Sequence, residues 1–454
     1  MKKICYFSKS SLLVAFLTPT LLHAQGILEE VVVTAQKREQ NLQDVGISVT
    51  AYSGDQMTAL GYSNTTDITA QTPSLSISQF HPSITNINIR GVSQNDFADH
   101  LEPPVAVYMD EAYVSAMGAA YMQMFDMERV EVLRGPQGTL FGRNATGGLL
   151  HFISRKPDQD FDASVGLTLA EYDQIKFEGS VGGSLTDKSS ARLAIASNTH
   201  DGYVETRIGD DLRDTETYAI RAQWLYEASD ELDLVFRINH SSDDSTGGGY
   251  THSPSTIGQD GLGVEIGRNE SATFFDFLGG TFTTCPGCDA FGYRESSDDP
   301  FKGSFDQKGI FEREITGANA KITLTLNDYT FTSITDYLEM DKDYREDTEA
   351  SGIFQLEYTT EQDFNQWSQE FRLNGESENS RWIAGVYYLD IETDNGAGLN
   401  PEDLGPFVGA PPGEVIFISN HSTELTTESW AVFAHLEYDI ATDWTLIGAV
   451  RYTE

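Results

Sequence analysis

Residues 430–440 read WAVFAHLEYDI, and the stretch keeps a period of two from end to end. Trp430, Val432, Ala434, Leu436, Tyr438 and Ile440 fall on one side of an extended chain. Ala431, Phe433, His435, Glu437 and Asp439 fall on the other. Successive strand residues point to opposite faces, so this is a strand with one apolar and one mixed face. The same scheme returns in YAIRAQWLYE (218–227), LDLVFRIN (232–239) and KITLTLN (321–327). Arg221, Glu227, Arg237 and Glu437 sit in mid-strand, where the inner face of a soluble sandwich would reject them. Alternation alone also fits a sandwich with polar residues outward.

Three further features favour a membrane-crossing barrel. The runs reach 10–15 residues, longer than the usual strand of about 5–6. All five tryptophans (224, 367, 382, 430, 444) lie in this region, four of them near a strand end with Tyr or Phe close by, as an interfacial girdle requires. Connections alternate between tight turns, as at Asp187-Lys188, and excursions such as 241–309. Hydropathy plots miss such barrels, because their lipid-facing residues are interleaved with lumen-facing ones. About eleven strands are expected between 161 and 453. A closed bacterial barrel has an even number, so residues 158–454 are expected to be the N-terminal half of a barrel continued elsewhere.

Upstream the texture changes. Met1-Lys2-Lys3 and Lys9 precede an apolar run, Ser11 to Leu22, and Leu22-His23-Ala24 offers a cleavage position. Residues 1–24 therefore read as a secretory signal peptide. Residues 25–43 are polar around one β-branched run and read as a flexible segment. Residues 44–157 mix short strands with helical pieces at Asp55 to Leu60 and Asp67 to Gln71, giving a small αβ domain. Within it, RGPQGTLFGRNATGG (134–148) is too glycine-rich for regular structure. It lacks the spacing and lysine of a phosphate loop, so its glycines are expected at tight turns and close approaches.

With 29 Lys+Arg against 70 Asp+Glu the formal charge is −41, which excludes a nucleic-acid partner. Cys285 and Cys288 form a C-x-x-C pair in loop-like sequence, read as a small disulfide of an oxidising compartment. No G-x-S-x-G or H-E-x-x-H constellation is present, so no catalytic residue, cofactor or resident metal is expected. Asp96, Asp99 and His100 lack the count and spacing of a metal site.

Glu30-Val31-Val32-Val33-Thr34-Ala35 resembles a TonB box, and NINIRGV (86–92), VAVYMDEAYV (105–114) and ERVEVLRGPQGTLFGRNATGGLLHFISRKP (128–157) resemble the plug motifs of TonB-dependent outer-membrane receptors. The resemblance implies a mainly β protein: a plug domain followed by an antiparallel transmembrane β-barrel, here about 11 of 22 strands. It implies a place in the outer membrane of a Gram-negative cell, in contact with its lipid, and TonB as the partner that binds Glu30, Val31, Val32, Val33 and Thr34. An extended valine run can join a partner's sheet as an edge strand. The implied activity is energised uptake of a scarce bulky solute, a ferric siderophore or similar iron complex. Cobalamin, haem or an oligosaccharide, or an inactive fragment, are the alternatives. Substrate contacts are expected from Gln94, Asn95, Asp96, Phe97, His100 and Tyr121 in the plug's outward loops. Arg90, Arg129, Arg134 and Arg143 are expected to contact barrel carboxylates.

An exported enzyme and a signalling receptor are the rival classes. The first lacks a nucleophile constellation. A signalling receptor of this family would carry an extra domain before the box, where this sequence has Gln25-Gly26.

Overall fold

The computed structural model describes residues 32–79, 84–94, 98–120, 124–207, 209–252, 257–259, 265–268, 273–276, 281–284, 293–295, 299–352, 356–400 and 419–454. Residues 1–24, read above as a signal peptide, and Glu30, Val31, Asn95, Asp96, Phe97, Tyr121, Cys285 and Cys288 lie outside them.

A short antiparallel pair, β1 (Val32–Val33) and β2 (Gln40–Asn41), opens the described chain. The plug follows: β3 (Ser48–Ser53), helix α1 (Gly54–Leu60), a 3-10 helix (Thr65–Gln71), β4 (Leu75–Gln79), β5 (Thr85–Ile89), β6 (Val105–Met109), β7 (Ala112–Val114), β8 (Met127–Arg134) and β9 (Gly148–Ser154). Helix α1 starts where expected. Ser53 caps the Gln56 amide while the Gln56 side chain returns to Ser53, and left-handed Gly61 ends the helix. The piece at Thr65–Gln71 is a 3-10 helix. Five strands form one sheet in the order β3-β8-β9-β6-β7, with β6 and β9 parallel. Strand β9 (GLLHFIS) is buried along its whole length, with plug core on one side and barrel wall on the other, so it reads as a continuous apolar run.

Eleven antiparallel strands then pair in chain order. They are β10 (Asp162–Ala170), β11 (Gln174–Thr186), β12 (Ser189–His200), β13 (Thr215–Ser229), β14 (Leu232–Ser245), β15 (Ile310–Leu326), β16 (Tyr329–Asp347), β17 (Glu357–Ser377), β18 (Ser380–Asn400), β19 (Ser419–Ala441) and β20 (Trp444–Thr453). Two-residue turns at 187–188, 230–231, 327–328, 378–379 and 442–443 all fall at one end. The longer connections, including 201–214 and 246–309, all fall at the other. Among the described residues β10 and β20 each keep one unpaired edge.

The alternation sorts as expected. Arg221, Gln223, Arg237, Glu370, Arg372 and Glu437 point inward and are buried against the plug. Ile220, Phe236, Ile238, Phe371, Val432 and Leu436 point outward and are exposed. Two aromatic rows bound this outward band. Tyr329 lies 6.2 Å from Trp382 near the short turns, across Gly375, which leaves room for the indole. Tyr337 faces Trp367, Trp367 lies 5.4 Å from Tyr388, and Trp430 lies 5.5 Å from Tyr452 in the second row. From Tyr329 to Tyr337 the strand runs about 27 Å, which tilted by about 40° gives a band near the expected height.

The strands do not stop at the second row. They reach 23 residues in β19, beyond the 10–15 expected, and extend past the girdle as a collar. Its outward face is acidic, with Glu314, Asp341, Asp363, Asp394 and Glu424 in register. Like charges side by side are tolerable only in water, so this part stands above the lipid.

Candidate functional site

The plug touches the barrel differently at its two ends. At the short-turn end, residues 32–38 are packed down: Val33, Ala35, Gln36 and Lys37 are buried, and Val32 is exposed. Residues 32–38 of the segment expected to be flexible are thus packed against the wall. The Thr34 amide donates to Glu131 Oε1 at 2.7 Å, and Lys37 Nζ lies 2.5 Å from Glu370 Oε2 on β17. Arg38 lies 2.5 Å from Glu437 on β19. A polar segment is thus held by carboxylates that exist only in the fold. Burial lowers the Lys37 ammonium from its ordinary value, against the pull of Glu370.

Midway, Asp110 and Glu111 follow β6. Asp110 accepts from Ser154 and lies 3.5 Å from Arg237. Glu111 pairs with Lys321 and Arg372. Burial pushes both carboxyls up, and the guanidinium and ammonium groups around them outweigh it, holding each below the usual carboxylate value. Asp126 pairs with Arg192 at 2.5 Å.

The arginines singled out from the sequence do not supply these contacts. Arg129 pairs with Glu128 and Glu131, Arg134 donates to Pro73 and Thr50, and Arg143 binds Glu102, all inside the plug. Arg90 has left-handed backbone and lies beside Gly135, also in the plug. Plug carboxylates facing barrel cations carry most of the fit. Arg221 and Arg237 were visible as mid-strand charges, but Arg313 and Arg372 were not singled out, and Asp110, Glu111 and Asp126 carried no spacing that marks them. The glycine run holds one helical turn, Gly138–Phe141, against the expectation of no regular structure, while its close approach to the wall is as read. Gly142 has φ +84°, and a Cβ there would lie 2.6 Å from Arg451 of β20.

At the long-loop end two plug segments meet the wall. Asp99 lies 2.6 Å from Lys342 with both side chains sealed from solvent, and Thr360 donates to the same carboxylate. His100 lies 3.4 Å from Asn395. Gly118 accepts from Arg313 at 2.5 Å. Beside that second segment is a cavity of about 530 Å³. Asn64, Ala119 and Phe125 of the plug line it together with Arg221, Tyr250 and Arg313 of the barrel domain. Gln94 and His100 do not line it. Asp306, Asp347 and Glu349 bring carboxylate oxygens within 4.8 Å of one another near the same rim, an acidic group the sequence reading did not anticipate.

Comparison with known proteins gives this geometry a context. The TonB-dependent Receptor Plug Domain matches residues 41–149. The ferripyoverdine receptor of Pseudomonas aeruginosa is 30% identical over 145 residues, which is 32% of this chain and 17% of the receptor. A vitamin B12 transporter of Vibrio vulnificus is 25% identical over 219 residues, 47% of this chain and 34% of the transporter. The ferric yersiniabactin uptake receptor of Yersinia pestis superposes with a TM-score of 0.70 at 17% identity, covering 90% of this chain and 56% of that one. At that identity the likeness is one of fold. The chain spans about half the length of the solved receptor and less of the curated relatives.

Proposed function

The chain carries the plug domain of the TonB-dependent receptors within the barrel fold of those proteins, and from that premise we propose that it serves in the outer membrane as a receptor for energised uptake of a ferric siderophore or similar iron complex. The observation that carries this reading is the polarity of the plug. The end of the valine box is docked at the short-turn rim, and the loops around Asp99 and Gly118 lie at the opposite rim beside a cavity. A partner at one face and a solute at the other are thereby separated by a sealed domain. TonB is the partner this arrangement fits, since Val32 is exposed at the start of the described chain and can be joined as an edge strand.

Two relatives named for ferric siderophores support iron as cargo. A second reading, cobalamin, is favoured by the vitamin B12 transporter, whose match reaches further along the chain. Transport rather than catalysis is the common ground of both. The test is Val32→Pro in the full-length receptor. Proline removes a backbone donor and restricts the added strand. Energised uptake is expected to vanish while ligand binding at the cell surface persists. Uptake at the wild-type rate would overturn the assignment of residues 30–34 as the TonB box.

A further inference from the structure

Three hard oxygen donors converge where β16 ends and the long connection begins. Tyr344 and Glu346 point inward from β16 and are buried. Tyr250 follows the end of β14, two strands from β16 in the same wall, beyond Gly247, Gly248 and Gly249. Gly248 and Gly249 have φ of +77° and +69°, a backbone that turns the chain back on itself. At Gly247 a Cβ would lie 2.6 Å from the Tyr344 ring, so the strand end can approach only without a side chain. The turn brings Tyr250 Oη to 2.6 Å from Glu346 Oε2, and the Tyr344 hydroxyl donates to that same oxygen. The two phenols are also within hydrogen-bonding reach of each other. Tyr250 forms part of the wall of the 530 Å³ cavity, so the group is reachable from the vestibule.

We propose that Tyr250, Tyr344 and Glu346 form a site for a hard trivalent cation, with the identification of that cation as Fe³⁺ resting on the uptake reading above. Hard cations take oxygen ligands. In an octahedron with bonds of about 2.0–2.1 Å, neighbouring oxygens are about 2.9 Å apart, so the hydrogen-bonded oxygens, 2.6 Å apart at Tyr250 and Glu346, would move apart by a few tenths of an ångström on binding. Charge decides the valence. Two phenolates and one carboxylate carry three negative charges, so a trivalent ion makes the buried group neutral, and a divalent ion leaves a net negative charge in a desolvated place. Binding releases both phenol protons to water and leaves iron as Fe(III), with no electron transferred. Three protein donors leave three positions for oxygens of a chelator or for water. The site would therefore hold a ferric complex by its metal, where most recognition would otherwise rest on the chelator's periphery. In the empty state the carboxylate accepts both phenols and keeps the donors gathered.

The experiment titrates the purified full chain with ferric nitrilotriacetate and records visible absorption. A phenolate-to-iron charge-transfer band saturating at one ion per chain is expected, with loss of the band in Tyr250→Phe and in Glu346→Gln. Gallium(III) should give the matching ultraviolet phenolate difference spectrum, and zinc should not. No band in the wild-type chain, or a band that survives in both variants, would overturn the site. Tyr250→Phe removes only one hydroxyl from a half-buried side chain, and unchanged exchange of the plug amides verifies that it folds. Energised uptake is read separately through Val32→Pro, so failure of that reading and failure of this site give different results.

Discussion

His151 lies in the middle of β9 with its ring enclosed by the plug. The Glu111 amide donates to its Nε2 at 3.1 Å, which places the ring proton on Nδ1, and Nδ1 faces Glu131 Oε2 at 3.9 Å. Burial lowers the imidazole pKa from its ordinary 6.5, and the neighbouring Glu131 does not make up the difference. The unfolded chain therefore binds more protons than the folded one once the pH falls below about 6.5, and stability declines with pH from there down to the depressed value. Amide exchange across β8 and β9 is expected to quicken between about pH 7.5 and 5.5. In His151→Phe that acceleration should shrink. A wild-type plug whose exchange, corrected for intrinsic chemistry, ignores this interval would refute the account.

Among the elements, the segment ending in Arg38 is the one the plug and the barrel share. Lys37 reaches β17 and Arg38 reaches β19, so two neighbouring parts of the wall hold one short stretch of chain. Removing one member of a buried pair strands the other and typically costs about 3–5 kcal/mol. In Lys37→Met, a spin label at Val32 is expected to become mobile, with the plug sheet's exchange unchanged; an immobile label would show that Thr34 and Glu131 suffice to hold the segment. This docking was not legible beforehand. QGILEEVVVTAQKREQNLQ is polar and without pattern, and Thr34, Lys37 and Arg38 within it are held by Glu131, Glu370 and Glu437, far away in sequence. The barrel strands were legible because each carries its own alternation. Only their upper ends were missed, since stretches such as DNGAGLN in β18 look like loop until a neighbouring strand pairs with them. The substrate end was the least legible. Tyr250, Arg313 and Glu346 come together only through the sheet, and no local spacing announces them.

At the scale of the whole molecule, the outward face has two regimes, apolar between the aromatic rows and acidic above them. A cation introduced in each should be felt differently. Phe236 points outward between the two aromatic rows, paired with Trp224 and Ala320, and Phe236→Arg is expected to destabilise the bilayer-inserted protein by about 2–4 kcal/mol. Asp244 points outward near the end of the same strand, and Asp244→Arg is expected to cost about 0–1 kcal/mol. Denaturant unfolding from lipid vesicles measures both. Equal costs would mean that the band has been placed at the wrong height.

On the uptake reading proposed above, the collar alters how a scarce solute is caught. From Tyr337 to Asp347 the wall continues for about 33 Å of strand beyond the girdle, part of it rise and part tilt. This part of the wall therefore stands clear of the bilayer like one side of a chimney. A molecule that enters and misses its first contact rebounds against the walls many times before it diffuses out. Confinement of this kind lengthens each visit without any residue having to be specific, and it works at the dilution where a flat receptor would see most visitors leave.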